Sequence, residues 1–247
     1  MRVLFFGMDG LFSVAPFRTL LGLRSAGIEI VAVIIPALRG NEGHNEHFRV
    51  LRRPNPVRSE IALESNLASE NIIRLAFEAN IPVLEVIGRL ADIDPATPGL
   101  PSTLSELHPD LILVACFNQI IPPWLLDLPH LGALNIHPSL LPEYRGPEPL
   151  FWIFHDGLEH AGVTIHLMNE HADEGDIVAQ TPVKVPDGAT YAEAERLCSE
   201  QGANLLTGVL DSLQKNRLGR VAQNHARATR APIPSQADYI VGRDWRA

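Results

Sequence analysis

What limits the fold most is an alternation that runs through most of the chain. Short apolar runs, each closed by Gly, Pro or a polar residue, take turns with stretches spaced for a helix. The apolar runs are "RVLFF" (2–6), "IEIVAVII" (28–35), "PVLEV" (82–86), "LILVA" (111–115) and "GALNIH" (132–137). Between them lie "VAPFRTLLGLRSAG" (14–27), "ENIIRLAFEAN" (70–80) and "PSTLSELHP" (101–109), all with helical periodicity. A strand with one wet face would alternate apolar and polar residues. These runs are continuous, so both faces of the sheet are covered. Strand–helix alternation of that kind predicts an α/β fold: a mostly parallel, Rossmann-like twisted sheet with helices on both faces. In "PSTLSELHP" the Ser102-to-Glu106 spacing predicts a capping box that opens the helix.

Further along, "PLFWIFHDG" (149–157) predicts a helix and "GVTIHLM" (162–168) a strand. "VAQTPVKV" (178–185) predicts a strand antiparallel to it, joined by a loop over "NEHADEGDI". A long amphipathic helix follows at 191–215. The Pro-punctuated end, "ATRAPIPSQADYIVGRDWRA", reads as extended. The division expected is a catalytic domain over 1–215 and an extended segment over 216–247 without a second domain. Residues 36–68 show no period, and a connection of that length tends to be functional or mobile. It gathers Arg39, Arg49, Arg52, Arg53 and Arg58 in a chain whose formal net charge is −9.

That acidity argues against a protein devoted to gripping nucleic acid. Two cysteines, Cys116 and Cys198, make neither a disulfide framework nor a metal site, and Cys116 reads as a small core hydrophobe. The opening "MRVLFFGMDG" has no signal-peptide pattern, and "LILVACFNQIIPPWLL" is broken by Asn118, Gln119 and a Pro pair. The expectation is a cytoplasmic protein with no membrane partner. The histidines at 44, 47, 155, 160, 166 and 171 lack HExxH or paired Cys/His spacing, so no metal site is expected. "GMDG" (Gly7, Asp9, Gly10) is not the dinucleotide fingerprint, though such a turn can line a cleft.

In a parallel sheet, ligands bind at the carboxyl ends of strands. "GALNIH" puts Asn135 and His137 there, two residues apart and so on one face. An Asn amide can stabilise an oxyanion, and a His moves protons near neutrality. A carboxylate that orients the imidazole would come from "HADEGDI": Asp173, Glu174 or Asp176. Ser139 lacks the G-x-S-x-G turn of a nucleophilic serine, so direct transfer between two bound substrates is favoured over a covalent intermediate.

"NIHPSLLPEYRG" followed by "GVTIHLMNEHADEGDIVAQ" resembles the signature of the folate-dependent formyltransferases. That family includes methionyl-tRNA, glycinamide ribonucleotide and nucleotide-amino-sugar formyltransferases. The likeness is dense over 110–185, thinner over 1–35, weak over 36–100, and resumes at "ADYIVGRDW". It implies a catalytic trio of Asn135, His137 and Asp173, with Asp173 keeping His137 charged. It implies 10-formyltetrahydrofolate as donor, held by Phe117, Asn118, Gln119, Ile120 and Ile121 and closed by His171 and Ala172. Gly7, Asp9, Ser139, Tyr144 and Arg145 are the expected walls of the acceptor space, with Arg145 either an anion contact or a structural pairing residue. For the acceptor, the acidity and the absence of a second domain favour a small amine such as a nucleotide-linked amino sugar. Methionyl-tRNA is the alternative. Formyltetrahydrofolate hydrolysis and a non-catalytic folate-binding role are the further readings.

Overall fold

A computed structural model describes residues 1–37, 48–52, 71–157 and 161–241. Eight strands among these residues form one sheet. They are β1 (Arg2–Gly7), β2 (Glu29–Pro36), β3 (Phe48–Leu51), β4 (Val83–Val86), β5 (Leu111–Ala115), β6 (Ala133–His137), β7 (Gly162–Leu167) and β8 (Ile177–Pro182). Their spatial order is β3-β4-β2-β1-β5-β6-β7-β8. The five central strands, β4 to β6, run parallel. Antiparallel strands flank them, β3 on one side and β7 and β8 on the other. The mostly parallel sheet read from the apolar runs is therefore present, within a mixed sheet.

The alternation of side chains sorts the strands into two cores. Val3, Phe5, Val33, Leu111, Leu113, Leu134, Ile136, Val163 and Ile165 face one side. There they meet helices α1 (Leu11–Gly22), α2 (Ile72–Glu78), α5 (Pro149–His155) and α6 (Tyr191–Gln214). Leu4, Phe6, Ala32, Ile34, Ile112 and Ala133 face the other side, against α3 (Leu100–Glu106) and α4 (Pro123–Leu126). On the first side Phe5 and Phe17 meet with ring centroids 5.1 Å apart, and both are fully buried. Truncating Phe17 to Ala would cost about 3–5 kcal/mol, the range for an aromatic lost from a packed core. The long helix α6 starts cleanly because Thr190 and Glu193 cap each other: Glu193 N donates to Thr190 Oγ1, and Thr190 N donates to Glu193 Oε2.

Three sequence readings need adjustment. The α3 helix begins at Leu100, ahead of Ser102, because Pro101 suits a first turn that needs no N–H bond. Ser102 Oγ then accepts from Gly99 N (3.1 Å), so no box with Glu106 opens the helix. Strand β3 lies inside the stretch read as aperiodic, and it pairs Arg49 with the buried Glu85 across the β3–β4 edge. Arg52 is exposed, while Arg39, Arg53 and Arg58 lie outside the described residues. The chain end read as extended includes a short helix, α7 (Gln236–Val241). Between α6 and α7, residues 216–235 bridge to the start of β8 at Ile177 and to the loop after β6 at Arg145. Among the described residues no helix is long and apolar enough to cross a membrane.

Candidate active site

Strand β6 carries Asn135 and His137 on the face it shares with Ala133, so both emerge at the carboxyl end of the parallel strands. Strand β7 lies antiparallel beside it with Asn135 opposite His166 and His137 opposite Thr164. Val163 and Ile165 point into the opposite core, which turns His166 towards Asn135. Asn135 Nδ2 is 3.2 Å from His166 Nε2. The proline-broken turn after His137 is locked by two hydroxyls, one of its own and one from β7. Ser139 Oγ donates to Glu143 O (2.7 Å), and Thr164 Oγ1 donates to Ser139 O (2.7 Å) while accepting from Leu141 N (3.1 Å).

The loop between β7 and β8 delivers the carboxylate. Asp173 sits at φ 59, a left-handed conformation that Asp tolerates better than most residues. At Gly175 an added Cβ would lie 1.8 Å from Leu167 O, so only glycine lets the loop fold this close to the end of β7. Of the three candidate carboxylates, Asp173 is the one turned to Asn135 and His137. Its Oδ1 is 3.6 Å from His137 Nδ1, 3.6 Å from His166 Nε2 and 3.4 Å from Asn135 Nδ2. Its Oδ2 accepts the Gly146 N–H at 2.9 Å. Glu174 turns away to Arg145 and Arg230. Asp176 faces Arg220 at 3.7 Å.

Electrostatics set the protons. Burial alone would push the Asp173 carboxyl up. The His137 and His166 rings and the Gly146 N–H outweigh it and hold Asp173 well below the usual carboxylate range. For His137, burial pushes the imidazole below its ordinary value of 6.5, against the opposing pull of Asp173. His137 Nε2 lies 2.9 Å from Tyr144 O, and a carbonyl only accepts, so Nε2 carries a proton and Nδ1 faces Asp173. The expectation that Asp173 keeps His137 charged is thus corrected. A site this dry favours a neutral ring at rest, with an ionised carboxylate beside it ready to stabilise an imidazolium.

The other residues singled out from sequence are placed as follows. Ser139 is fully buried and committed to its turn, so it is no wall of an open site. Arg145 is 2% exposed and bonded to Gln223 Oε1 and Glu174, which makes it a structural pairing residue rather than an anion contact. Gly7 is buried beneath the Phe5 ring and Ser13, while Asp9 and Gly10 of that turn are exposed. Tyr144 donates its hydroxyl to Asp156 at 2.9 Å and helps line a cavity of about 340 Å³ with Trp152, Thr229 and Arg230. In the loop after β5, Phe117 packs edge-on to Phe6 and Ile121 is buried. Gln119 spends its amide on Leu90 N and Gly88 O. Asn118 and Ile120 are exposed, as are His171 and Ala172. Cys116, read as a core residue, is exposed at the end of β5.

A larger cavity of about 570 Å³ opens between these two segments, lined by Leu126, Ala133, Met168, Asn169 and Gly175 among others. The expected folate contacts at 117–121 and 171–172 adjoin it without lining it; their neighbours in sequence do. His166 is the polar group that sequence reasoning weighed only as a metal ligand. The signal that finds it is register, since only the β6–β7 pairing sets it opposite Asn135. Among the described residues no group of three or more His, Cys, Asp or Glu side chains is arranged to hold a metal ion. His44, His47 and His160 lie outside the described residues.

The chain is similar to known proteins at two levels. It is 38% identical over 146 residues to the methionyl-tRNA formyltransferase of Syntrophomonas wolfei, covering 59% of this chain and 46% of that protein. It therefore spans about half the length of the curated relatives it matches. Its fold matches the phosphoribosylglycinamide formyltransferase of Anaplasma phagocytophilum with a TM-score of 0.64 at 18% identity, over 95% of this chain and 99% of that one. It matches a sugar N-formyltransferase from a Shewanella species with a TM-score of 0.60 at 19% identity, over 98% of this chain and 86% of the other. The sequence profile described as Formyl transferase matches residues 60–210, which take in the strand bearing Asn135 and His137 and the loop bearing Asp173, and the chain belongs to that family.

Proposed function

We propose that the protein transfers a formyl group from 10-formyltetrahydrofolate to a primary amine, and that the amine is the one on methionyl-tRNA. The observation that carries formyl transfer is the convergence of an amide, an imidazole held neutral by burial and an ionised carboxylate on one strand edge. The amine attacks the formyl carbon, forming a C–N bond and a tetrahedral oxyanion. Asn135 Nδ2 is the donor available to that oxygen, worth about 3–4 kcal/mol by analogy with other oxyanion donors. His137 Nδ1 takes the proton released by the attacking nitrogen, and Asp173 stabilises the imidazolium from 3.6 Å. The same proton then passes to N10 of the folate as the C–N10 bond breaks, and the ring returns to neutral. The cavity lined by Met168 and by Gly175, two residues past Asp173, is the space we assign to the donor's flat ring.

The relatives support this acceptor. The matched proteins at 38% identity are methionyl-tRNA formyltransferases, whereas sugar N-formyltransferases enter at under 20% identity, where likeness speaks to fold. The amino-sugar reading drawn from charge is thereby demoted: a bulk charge of −9 does not weigh against a local tRNA-binding surface. The test is direct. The protein is given 10-formyltetrahydrofolate with methionyl-tRNA, with a nucleotide-linked amino sugar, and with neither. Formylated methionyl-tRNA should accumulate with equal release of tetrahydrofolate. Release without acceptor would point to hydrolysis, and turnover of the sugar alone would overturn the tRNA assignment.

A further inference from the structure

We infer that Gln223 is a positioning residue for catalysis, gripping the Asp173 loop from the segment that follows the long helix. The inference rests on the formyl-transfer reading. Gln223 lies outside the residues matched by the family profile and is only 6% exposed. Its amide has two donor N–H groups and two acceptor positions, and all four are used. Nε2 donates to Asp173 O at 2.9 Å and to Gly175 O at 2.7 Å. Oε1 accepts from Arg145 Nη2 at 2.7 Å and from Arg145 Nε at 3.2 Å. One side chain therefore ties the backbone of the carboxylate loop to the guanidinium that follows Tyr144.

The same segment fixes the other end of Asp173. Arg145 N donates to Thr229 O (3.0 Å) and Ala231 N to Arg145 O (2.7 Å), a short bridge that sets the backbone of the next residue. That residue is Gly146, whose N–H holds Asp173 Oδ2. A Cβ on Gly146 would lie 2.6 Å from Ala231 O, so the two chains touch backbone to backbone. Asp173 is thus held by its carbonyl through Gln223 and by Oδ2 through Gly146. Only Oδ1 is left facing Asn135, His137 and His166. The loop cannot do this alone: its Asp is left-handed, and its own carbonyls find their partner in Gln223. A displacement of about 1 Å at such a group can cost about 100-fold in rate.

Two variants separate gripping from mere filling. Gln223→Glu keeps the size and the contact with Arg145, but aims a carboxylate oxygen at two carbonyl oxygens. If Gln223 mattered only as a partner for Arg145, this change would be harmless. The expected result is a fall in kcat of about 100-fold, with KM for the folate donor within about threefold of wild type. Gln223→Ala adds no charge, so it serves for a second readout, the His137 titration followed by NMR. His137 is faced by Asp173, His166 and Arg145, and of these only Asp173 raises its pKa. An Asp173 that has drifted away should leave His137 titrating at lower pH. Wild-type kcat in Gln223→Glu overturns the inference, as does an unmoved His137 titration in Gln223→Ala. Should Gln223→Glu not fold, the Gln223→Ala titration decides alone. If the wild-type protein transfers no formyl group, the formyl-transfer reading falls, and the titration still decides whether Gln223 places Asp173.

Discussion

Replacing Asp173 with Asn changes one atom's chemistry and almost no volume. The Asn carbonyl can still accept the Gly146 N–H that now reaches Oδ2 at 2.9 Å, so the loop has no reason to move. At the Oδ1 position an NH₂ would face Asn135 Nδ2, now 3.4 Å away, and His137 Nδ1, now 3.6 Å away. It would oppose a donor with a donor, and it would hydrogen-bond the lone pair that His137 needs to take the amine proton. The charge that stabilises the imidazolium would also be gone. Losing a general base of this kind costs about 10²–10⁴ in rate, or about 3–5 kcal/mol of barrier. A loss of about 10³ in kcat with little change in donor KM is expected. The pH profile adds a sign. Asp173 raises the pKa of His137, so its removal should move the acidic limb of kcat/KM to lower pH. The assay is the initial rate of formyl transfer across the neutral and acid range, with a thermal melt to confirm the fold. A rate within about threefold of wild type, or a limb that moves up, would refute the proton path through His137.

Gly175→Ala should unseat the carboxylate loop, because its Cβ would lie 1.8 Å from Leu167 O; a lowered Tm together with lost turnover is the expected pair. Ser139→Ala should cost about 1 kcal/mol of stability, measured by denaturant melts, by deleting one buried hydrogen bond. Kinetics for donor and acceptor should be unaltered, since Ser139 is buried. Acid should destabilise the fold in two stages. Burial lowers the His137 pKa, so its contribution is full above about 6.5 and is lost as pH falls below that value. The Asp173 pKa is lowered by its partners, so its contribution is full above the ordinary value of 3.8 and is lost as pH falls through the lower folded value. Denaturant midpoints followed with pH should show both declines, and His137→Asn should remove the first.

Much of this could be read from the chain because buried parallel strands announce themselves. "LILVA" and "IEIVAVII" have no polar face to hide, and the Asn135–His137 spacing fixes their shared direction. What could not be read depends on register and on distant pairing. β3 is four residues long and half-exposed, so no apolar run marks it. The partnership of His166 with Asn135 exists only once two strands are aligned. Arg145 could not be assigned from sequence because its partners come from residues 174 and 223. The protonation of His137 is hidden for a related reason: a nearby carboxylate is visible in sequence, whereas the loss of water around the ring is a property of the folded core.

The bridge between Arg145 and the 229–231 stretch has a consequence for biogenesis. Synthesis runs from the amino end, so Asn135, His137 and Asp173 exist before the residues that brace them. The sheet's apolar strands, from β1 to β8, are already complete at that stage and can collapse. If Gln223 places Asp173, chemistry must wait for a polar stretch that adds little to the core. A chain halted just after α6 is expected to hold every strand of the sheet while its carboxylate loop still lacks Gln223. Activity, rather than compactness, is then the quantity that reports when this protein is finished.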